Sequence, residues 1–192
     1  MFYNIIVYVV YVALLPVYRL RVRGAENIPQ GAAVVCGNHT ARVDAVVVFL
    51  ALFLHGNRPA IIAKNPIARW FFTYMGAFPV QRGKADLNAI KKSLTVLKQG
   101  KKLIIFPEGT RVKEGNVEAK SGAAMMALRT HSPVLPVYIT PGRKAFRGCT
   151  VTFGKPFLLP QPAKADAEAY KEGAEHIMDC VEQLGKEVAR CG

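Results

Sequence analysis

Two short apolar runs, residues 32–36 and 103–106, each break off into a polar block. Each run reads as a buried strand. The first block is Gly37-Asn38-His39-Thr40-Ala41-Arg42-Val43-Asp44, and the second is Phe106-Pro107-Glu108-Gly109-Thr110-Arg111. Chemistry in open α/β sheets collects at the carboxyl ends of such strands, so the two blocks mark where a site belongs. The first offers an imidazole with a carboxylate five residues on. The second offers a carboxylate and a guanidinium around a glycine turn. On a continuous helix a spacing of five turns two side chains apart by about 140°, at roughly 100° per residue. His39 is therefore expected in the loop and Asp44 in the first turn of the next helix, where the chain folds one back onto the other. That is the geometry of a base and the group that orients it.

The rest of the chain alternates strand-like runs with helical stripes. Residues 17–23 read as a first strand, with Leu20 and Val22 separated by arginines, and residues 24–31 as a turn. Residues 44–55 are too apolar for an exposed helix and are expected to be buried, or to face an acyl chain or a bilayer. Residues 60–63 form a short strand leading to Lys64. Pro66 suits the first position of a helix through Tyr74. Its Trp70, Phe71, Phe72 and Tyr74, beside Arg69, fit either a core or a lipid interface. Residues 78–81 read as a strand, and Asp86 as the cap of a helix. Leu87, Ile90, Leu94 and Leu97 give that helix one apolar stripe, Gly100 stops it, and Lys91, Lys92 and Lys98 are left solvated. Residues 112–120 are polar and glycine-bearing, a loop able to move. A small-sided helix over about 121–129, strands at 134–139 and 149–153, and a final helix over about 165–189 complete the chain. Tyr170, Ala174, Ile177, Val181, Leu184 and Val188 line one face of that last helix. No repeat and no linker divides the sequence. The expected fold is one α/β domain with a mixed, largely parallel sheet flanked by helices, preceded by an apolar N-terminal helix.

A length of 192 residues suits a single domain with a sizeable core. The chain combines 51% hydrophobic residues with a formal net charge of +13. That pairing suits an anionic membrane surface and phosphorylated substrates. A nucleic-acid-binding domain would be as basic but less apolar, and no recognition motif is present. The four cysteines, Cys36, Cys149, Cys180 and Cys191, lack C-x-x-C spacing, so no zinc site is expected and a reduced, intracellular chain is the simpler reading. Residues 1–17 are nearly all apolar, with Asn4 the only strongly polar side chain. About 17 residues is the lower limit for crossing a bilayer core. No small-residue cleavage site follows, and the positive charge comes after the run, which argues against a signal peptide. Arg19, Arg21 and Arg23 would hold that side in the cytoplasm. Residues 1–17 are expected to be a membrane anchor, spanning or lying in the interface, that holds the chain at the cytoplasmic face of the cell membrane. A helix packed on the domain itself is the alternative.

Four blocks carry a family resemblance. Asn38-His39 with Asp44 resembles the H-x4-D motif of the glycerolipid acyltransferases, within residues 38–44. Met75-Gly76-Ala77-Phe78-Pro79-Val80-Gln81-Arg82 resembles their G-x-x-F-x-x-R block, within 76–82. Residues 106–111 match F-P-E-G-T-R, and Val134-Leu135-Pro136-Val137 resembles V-x-P-V. H-x4-D alone recurs by chance; four blocks in the family's order do not. The closest subgroup is the 1-acylglycerol-3-phosphate (lysophosphatidic acid) acyltransferases of the PlsC type. The resemblance implies that residues 18–192 are an acyltransferase domain. It implies an enzyme of phospholipid biosynthesis that moves a fatty acyl group from acyl-CoA or acyl carrier protein to the sn-2 hydroxyl of 1-acylglycerol 3-phosphate, giving phosphatidic acid.

Transfer from a thioester to an alcohol needs a base, a group that holds the base's tautomer, donors for the developing oxyanion and an anchor for the substrate. His39 is the only histidine in a strand-end loop beside a carboxylate, so it is the expected base. Asp44 would accept from its other ring nitrogen and stabilise the imidazolium. Taken alone, His39 would read as a histidine satisfying a strand-to-helix turn; the resemblance carried by the four blocks implies that it is catalytic. No serine or cysteine sits in a nucleophile elbow, so direct attack without an acyl-enzyme is expected. Cys36, in an apolar strand, reads as an inert thiol. Arg82 and Arg111 follow strand ends, where a guanidinium grips phosphate, and the resemblance implies that their blocks bind the glycerol phosphate. Lys64 and Lys120 are further candidates for that pocket, with a solvated surface position as the alternative. Glu108 would repel phosphate; it is expected to accept from glycerol hydroxyls or to orient a basic neighbour. Gly109 allows a tight turn, and Thr110 donates through its hydroxyl or amide. Backbone amides near Val80, or at the helix start after His39, are candidate oxyanion donors. No cofactor or metal is required beyond the acyl donor, and both candidate donors are anionic. Expected partners are membrane lipid, lysophosphatidic acid and the donor, with no nucleic acid. The competing readings are an acyltransferase for glycerol 3-phosphate or another lysolipid, and a non-catalytic protein that binds anionic lipid at a membrane surface.

Overall fold

Ala33–Gly37 is buried along its whole length, and this strand, β2, sets the position of everything else. A computed structural model describes residues 9, 19–41, 43–57, 59–63, 78–79, 87–108, 121–140, 148–162 and 164–190. Within them the other strands are β1 (Leu20–Arg23), β3 (Ala60–Ala63), β4 (Phe78–Pro79), β5 (Lys102–Ile105), β6 (Val134–Ile139) and β7 (Cys149–Phe153). The helices are α1 (Asp44–Leu54), α2 (Leu87–Lys98), α3 (Gly122–Thr130) and α4 (Ala167–Arg190). The strands form one seven-stranded sheet in the order β1-β7-β6-β2-β5-β3-β4. Every neighbouring pair is parallel except β6 with β7. The mixed, largely parallel sheet expected from the sequence is therefore the one formed.

Alternation along β2 divides the core. Ala33 and Val35 point to one face and pack with Val47, Val48, Phe49, Leu50 and Leu52 of α1. Val34 and Cys36 point to the other, against Ala89 and Leu97 of α2, Ala123 to Leu128 of α3, and Ala174 and Ile177 of α4. A strand covered on both faces must be apolar throughout, which is why β2 shows no polar alternation. The same burial explains α1, whose sequence is apolar all round.

The connections place the site. From β2 the chain runs through α1 on one face and re-enters as β3, beyond β5. From β5 it reaches β6, on the far side of β2, through α3 on the opposite face. Adjacent strands whose following helices diverge leave a crevice at their carboxyl ends. The register Ala33↔Lys102 through Cys36↔Ile105 ends β2 and β5 at the same level. The two polar blocks of the sequence thus leave the sheet side by side.

Several expectations need adjustment. The α2 stripe is displaced: Leu87 is 67% exposed, while Ala89, Ser93 and Leu97 are buried and Ile90, Leu94 and Val96 pack beside them. The apolar arc continues from Ile90 by way of Ala89 and Ser93, small residues that a search for large side chains passes over. β5 begins one residue early, at the buried Lys102, whose Nζ donates to the carbonyls of Pro29 and Gly31 and pins the loop before β2. Phe106 then falls outside the strand, in the site loop. Within residues 24–31 the chain makes a single 3-10 turn, Ala25–Asn27. The expected helix at 66–74 and loop at 112–120 lie outside the described residues. Among the described residues no helix is long and apolar enough to cross a membrane, and the segment 1–17 lies outside them apart from Val9.

Phe49 is fully buried in the helix that carries Asp44. Phe49→Ala should destabilise the fold by about 3–5 kcal/mol, read from the shift of a denaturant midpoint at unchanged slope.

Candidate active site

The loop after β2 is built by its own polar side chains. Gly37 closes the strand with its Cα against β6, where a Cβ would stand 3.0 Å from the Val137 carbonyl oxygen. Asn38 then acts as a two-point clip. Its Nδ2 donates to the Ile139 carbonyl at 2.9 Å, and its Oδ1 accepts the Ile139 N–H at 2.8 Å. These bonds continue the β2–β6 ladder by one step through a side chain, and the backbone is freed to turn. His39 follows in the loop, and Asp44 opens α1, as the spacing of five required.

Asp44 is 0% exposed and gathers the loop around one oxygen. Its Oδ2 accepts from the Thr40 N–H at 2.7 Å, from the Ala41 N–H at 2.8 Å, and lies 3.2 Å from His39 Nδ1. A carboxylate only accepts, so the hydrogen of this pair belongs to Nδ1. Nε2 of the neutral ring then carries the free lone pair, the tautomer a general base needs. The helix start is also a favourable place for the negative charge, worth about 0.3–1 kcal/mol near a helix N-terminus. The amides of Thr40 and Ala41 are engaged by Asp44, which removes them from the candidate oxyanion donors; Val80 lies outside the described residues.

The β5 loop supplies the other walls. Phe106 stacks on the His39 ring, with centroids 4.4 Å apart and planes inclined by 22°. The side chain of His39 keeps 21% of its exposure, enough to meet a substrate while its plane stays fixed. Glu108 is buried, and its Oε2 accepts the His39 backbone N–H at 3.2 Å. Burial pushes its carboxyl above the usual carboxylate range, and the His39 amide works against that rise. Glu108 therefore holds the loop of His39 through the main chain, where the sequence suggested glycerol hydroxyls or a basic neighbour as its partner. The neighbour is an amide rather than a cation.

Of the residues singled out in the sequence, the structure brings together His39, Asp44 and Glu108. Lys64, Arg82, Gly109, Thr110, Arg111 and Lys120 lie outside the described residues. Cys36 is buried and its thiol is pushed far up by burial, in keeping with an inert side chain. Among the described residues no group of three or more His, Cys, Asp or Glu is placed to hold a metal. Sequence reasoning passed over Asn38 and Phe106, although both lie inside the quoted blocks. An asparagine at a strand's end is a signal for such a clip; nothing local predicts the ring stack, because it joins residues 67 positions apart.

With this geometry in place, comparison with known proteins is informative. The model of the acyltransferase family matches residues 19–140. A chloroplast 1-acyl-sn-glycerol-3-phosphate acyltransferase of Arabidopsis thaliana is 31% identical over 136 residues, covering 66% of this chain and 37% of the plant protein. A 1-acyl-sn-glycerol-3-phosphate acyltransferase of Borreliella burgdorferi is 32% identical over 128 residues, covering 62% of this chain and 50% of that protein. The chain thus spans half or less of the length of these two relatives. The crystal structure of the 1-acyl-sn-glycerophosphate acyltransferase PlsC from Thermotoga maritima superposes with a TM-score of 0.62 at 26% identity, over 95% of this chain and 78% of that one.

Two outcomes follow from the site. Asn38→Ala strands the N–H and C=O of Ile139 and should cost about 1–3 kcal/mol of stability, measured by chemical unfolding. Glu108→Gln keeps an oxygen for the His39 amide but cannot ionise. The raised carboxyl favours the protonated native state, so the contribution of Glu108 is full at acid pH and is lost as pH rises through its folded value. Relative to the Gln variant, the unmodified protein should therefore gain stability on acidification. Parallel unfolding curves at neutral and acid pH would reject this assignment if the difference moved the other way.

Proposed function

We propose, for this chain, which belongs to the acyltransferase family, that it transfers a fatty acyl group from a thioester to the free sn-2 hydroxyl of 1-acylglycerol 3-phosphate and forms phosphatidic acid. The single observation that carries the reading is the buried Asp44 carboxylate 3.2 Å from Nδ1 of a partly exposed His39. The names borne by the relatives point to the same acceptor.

In this reading Nε2 of His39 takes the proton of the lipid hydroxyl as the oxygen attacks the thioester carbonyl. Asp44 stabilises the imidazolium that results, and no acyl-enzyme forms. His39 then returns the proton to the departing thiolate. Phe106 and Glu108 hold the ring and its backbone in place, so little reorganisation accompanies proton transfer. Arg82 and Arg111 would grip the glycerol phosphate, with Gly109 and Thr110 shaping the turn beside them and Lys64 and Lys120 adding charge. The donor is acyl-CoA or acyl carrier protein. Residues 1–17 would tether the domain to the cytoplasmic face of the membrane, where its lipid acceptor resides.

A thioester-release assay over a panel of glycerol phosphates and lysolipids tests the reading. Phosphatidic acid should form from 1-acylglycerol 3-phosphate and a thioester donor. Acylation of glycerol 3-phosphate instead would overturn the acceptor assignment, and no thioester consumption with any acceptor would overturn the enzyme. His39→Ala should lower kcat by several orders of magnitude without unfolding the chain; undiminished turnover would remove His39 as the base.

A further inference from the structure

The strand directions put the start of β1 and the site on one edge of the sheet. β1 runs parallel to β7, β7 antiparallel to β6, and β6 parallel to β2, so β1 begins where β2 ends. The register fixes the level: Val22 lies opposite Val151, Val151 opposite Ile139, and Ile139 is clipped by Asn38. Arg21 therefore stands level with the His39 loop and Arg19 beyond it, with Arg23 one step further in. Leu20 and Val22 turn into the core under α1, so Arg21 and Arg23, which alternate with them, share the opposite face of this edge strand; Arg19 stands just before the strand at φ 40°, and all three arginines are exposed. α4 packs on that face over β6 and β2. Among the described residues none of the three has a carboxylate within ion-pair distance.

Arg21 and Arg23, about 6.6–7 Å apart along the strand, form with Arg19 immediately before it a strip of exposed positive charge. Its chain context is specific: the strip follows directly on residues 1–17, nearly all apolar in sequence. The part of the chain that holds the strip and the site is strongly basic. Residues 1–163 carry 22 Lys and Arg against 6 acids, while the other 7 acids fall from Asp166 onward, in and just before α4.

We propose that Arg19, Arg21 and Arg23 form a headgroup-binding strip that seats the site edge of the domain on an anionic bilayer, with the lipid phosphates as the groups recognised. Arginine suits this task, because its fork pairs with phosphate while its stem lies along apolar surface. The strip orients the crevice at the ends of β2 and β5 toward the lipid, a role that continued attachment through residues 1–17 would not supply by itself. An acidic carrier protein is the other partner such charge would suit. The bilayer is favoured because the strip adjoins the apolar residues in sequence and lies at the sheet's edge, three strands from β2.

The test uses the full chain and vesicles of phosphatidylcholine, alone or mixed two to one with phosphatidylglycerol. The unmodified protein should sediment more strongly with the anionic vesicles, and added salt should weaken that preference. R19Q/R21Q/R23Q should weaken partitioning onto anionic vesicles by on the order of a hundredfold and leave binding to pure phosphatidylcholine unchanged. R19K/R21K/R23K should retain most of it. K91Q/K92Q/K98Q, removing three exposed charges from α2, should leave the preference intact. If the triple glutamine protein fails to fold, R21Q alone, expected to weaken partitioning about fivefold, decides. Equal partitioning of the Gln and unmodified proteins would overturn the strip. So would an equal loss in the α2 variant, which would make the effect one of bulk charge. Normal vesicle binding with turnover lost only on acyl carrier protein would assign the strip to that protein instead. Each of these readings is independent of which acceptor the enzyme uses.

Discussion

One carboxylate organises this site. Asp44 is removed from solvent, and its Oδ2 holds two consecutive loop amides together with the imidazole of His39. An unpaired carboxylate in such a place would be costly, so the loop has to close on it. The closing is also what fixes the imidazole. Because the same oxygen accepts from residues 39, 40 and 41, the ring cannot leave without the loop loosening, and the loop cannot re-form elsewhere without uncovering the charge.

That hub works only because the sheet delivers a second wall to it. β2 and β5 are neighbours in register, and their following helices depart to opposite faces. Phe106 and Glu108 therefore meet His39 from the next strand, one on the ring and one on the backbone amide. The ring is held at Nδ1, across its face and at its own main chain, which leaves one nitrogen for chemistry. In the proposed reaction an imidazole fixed in this way would need little reorganisation, the usual source of catalytic advantage in a positioned group.

Glu108 shows how a motif residue can find a partner that its own block gives no sign of. Its charge suggested a partner among glycerol hydroxyls or basic side chains; it binds an amide of the other motif block. Motif residues are seen in sequence as separate blocks, so bonds between blocks are invisible there. Asn38 is the same case, since its two bonds run to Ile139, a strand laid down 101 residues later.

Periodicity and composition sufficed for the strand cores, the long final helix and the apolar α1, because burial on one face or two leaves a direct imprint on residue type. The His39–Asp44 pairing was also local enough to be foreseen, since five residues spanning a loop and a helix start have few ways to fold. What the sequence could not give was the strand order, and with it the joining of residues 106 and 108 to residue 39 and the reversed direction of β1 that brings its arginines to the site edge. The α2 stripe was misplaced for a related reason: Ala89 and Ser93 are buried by what packs on them, not by their own size. Pattern reports how apolar a face is, whereas which face meets which is settled by packing among distant segments. Only the assembled sheet decides that.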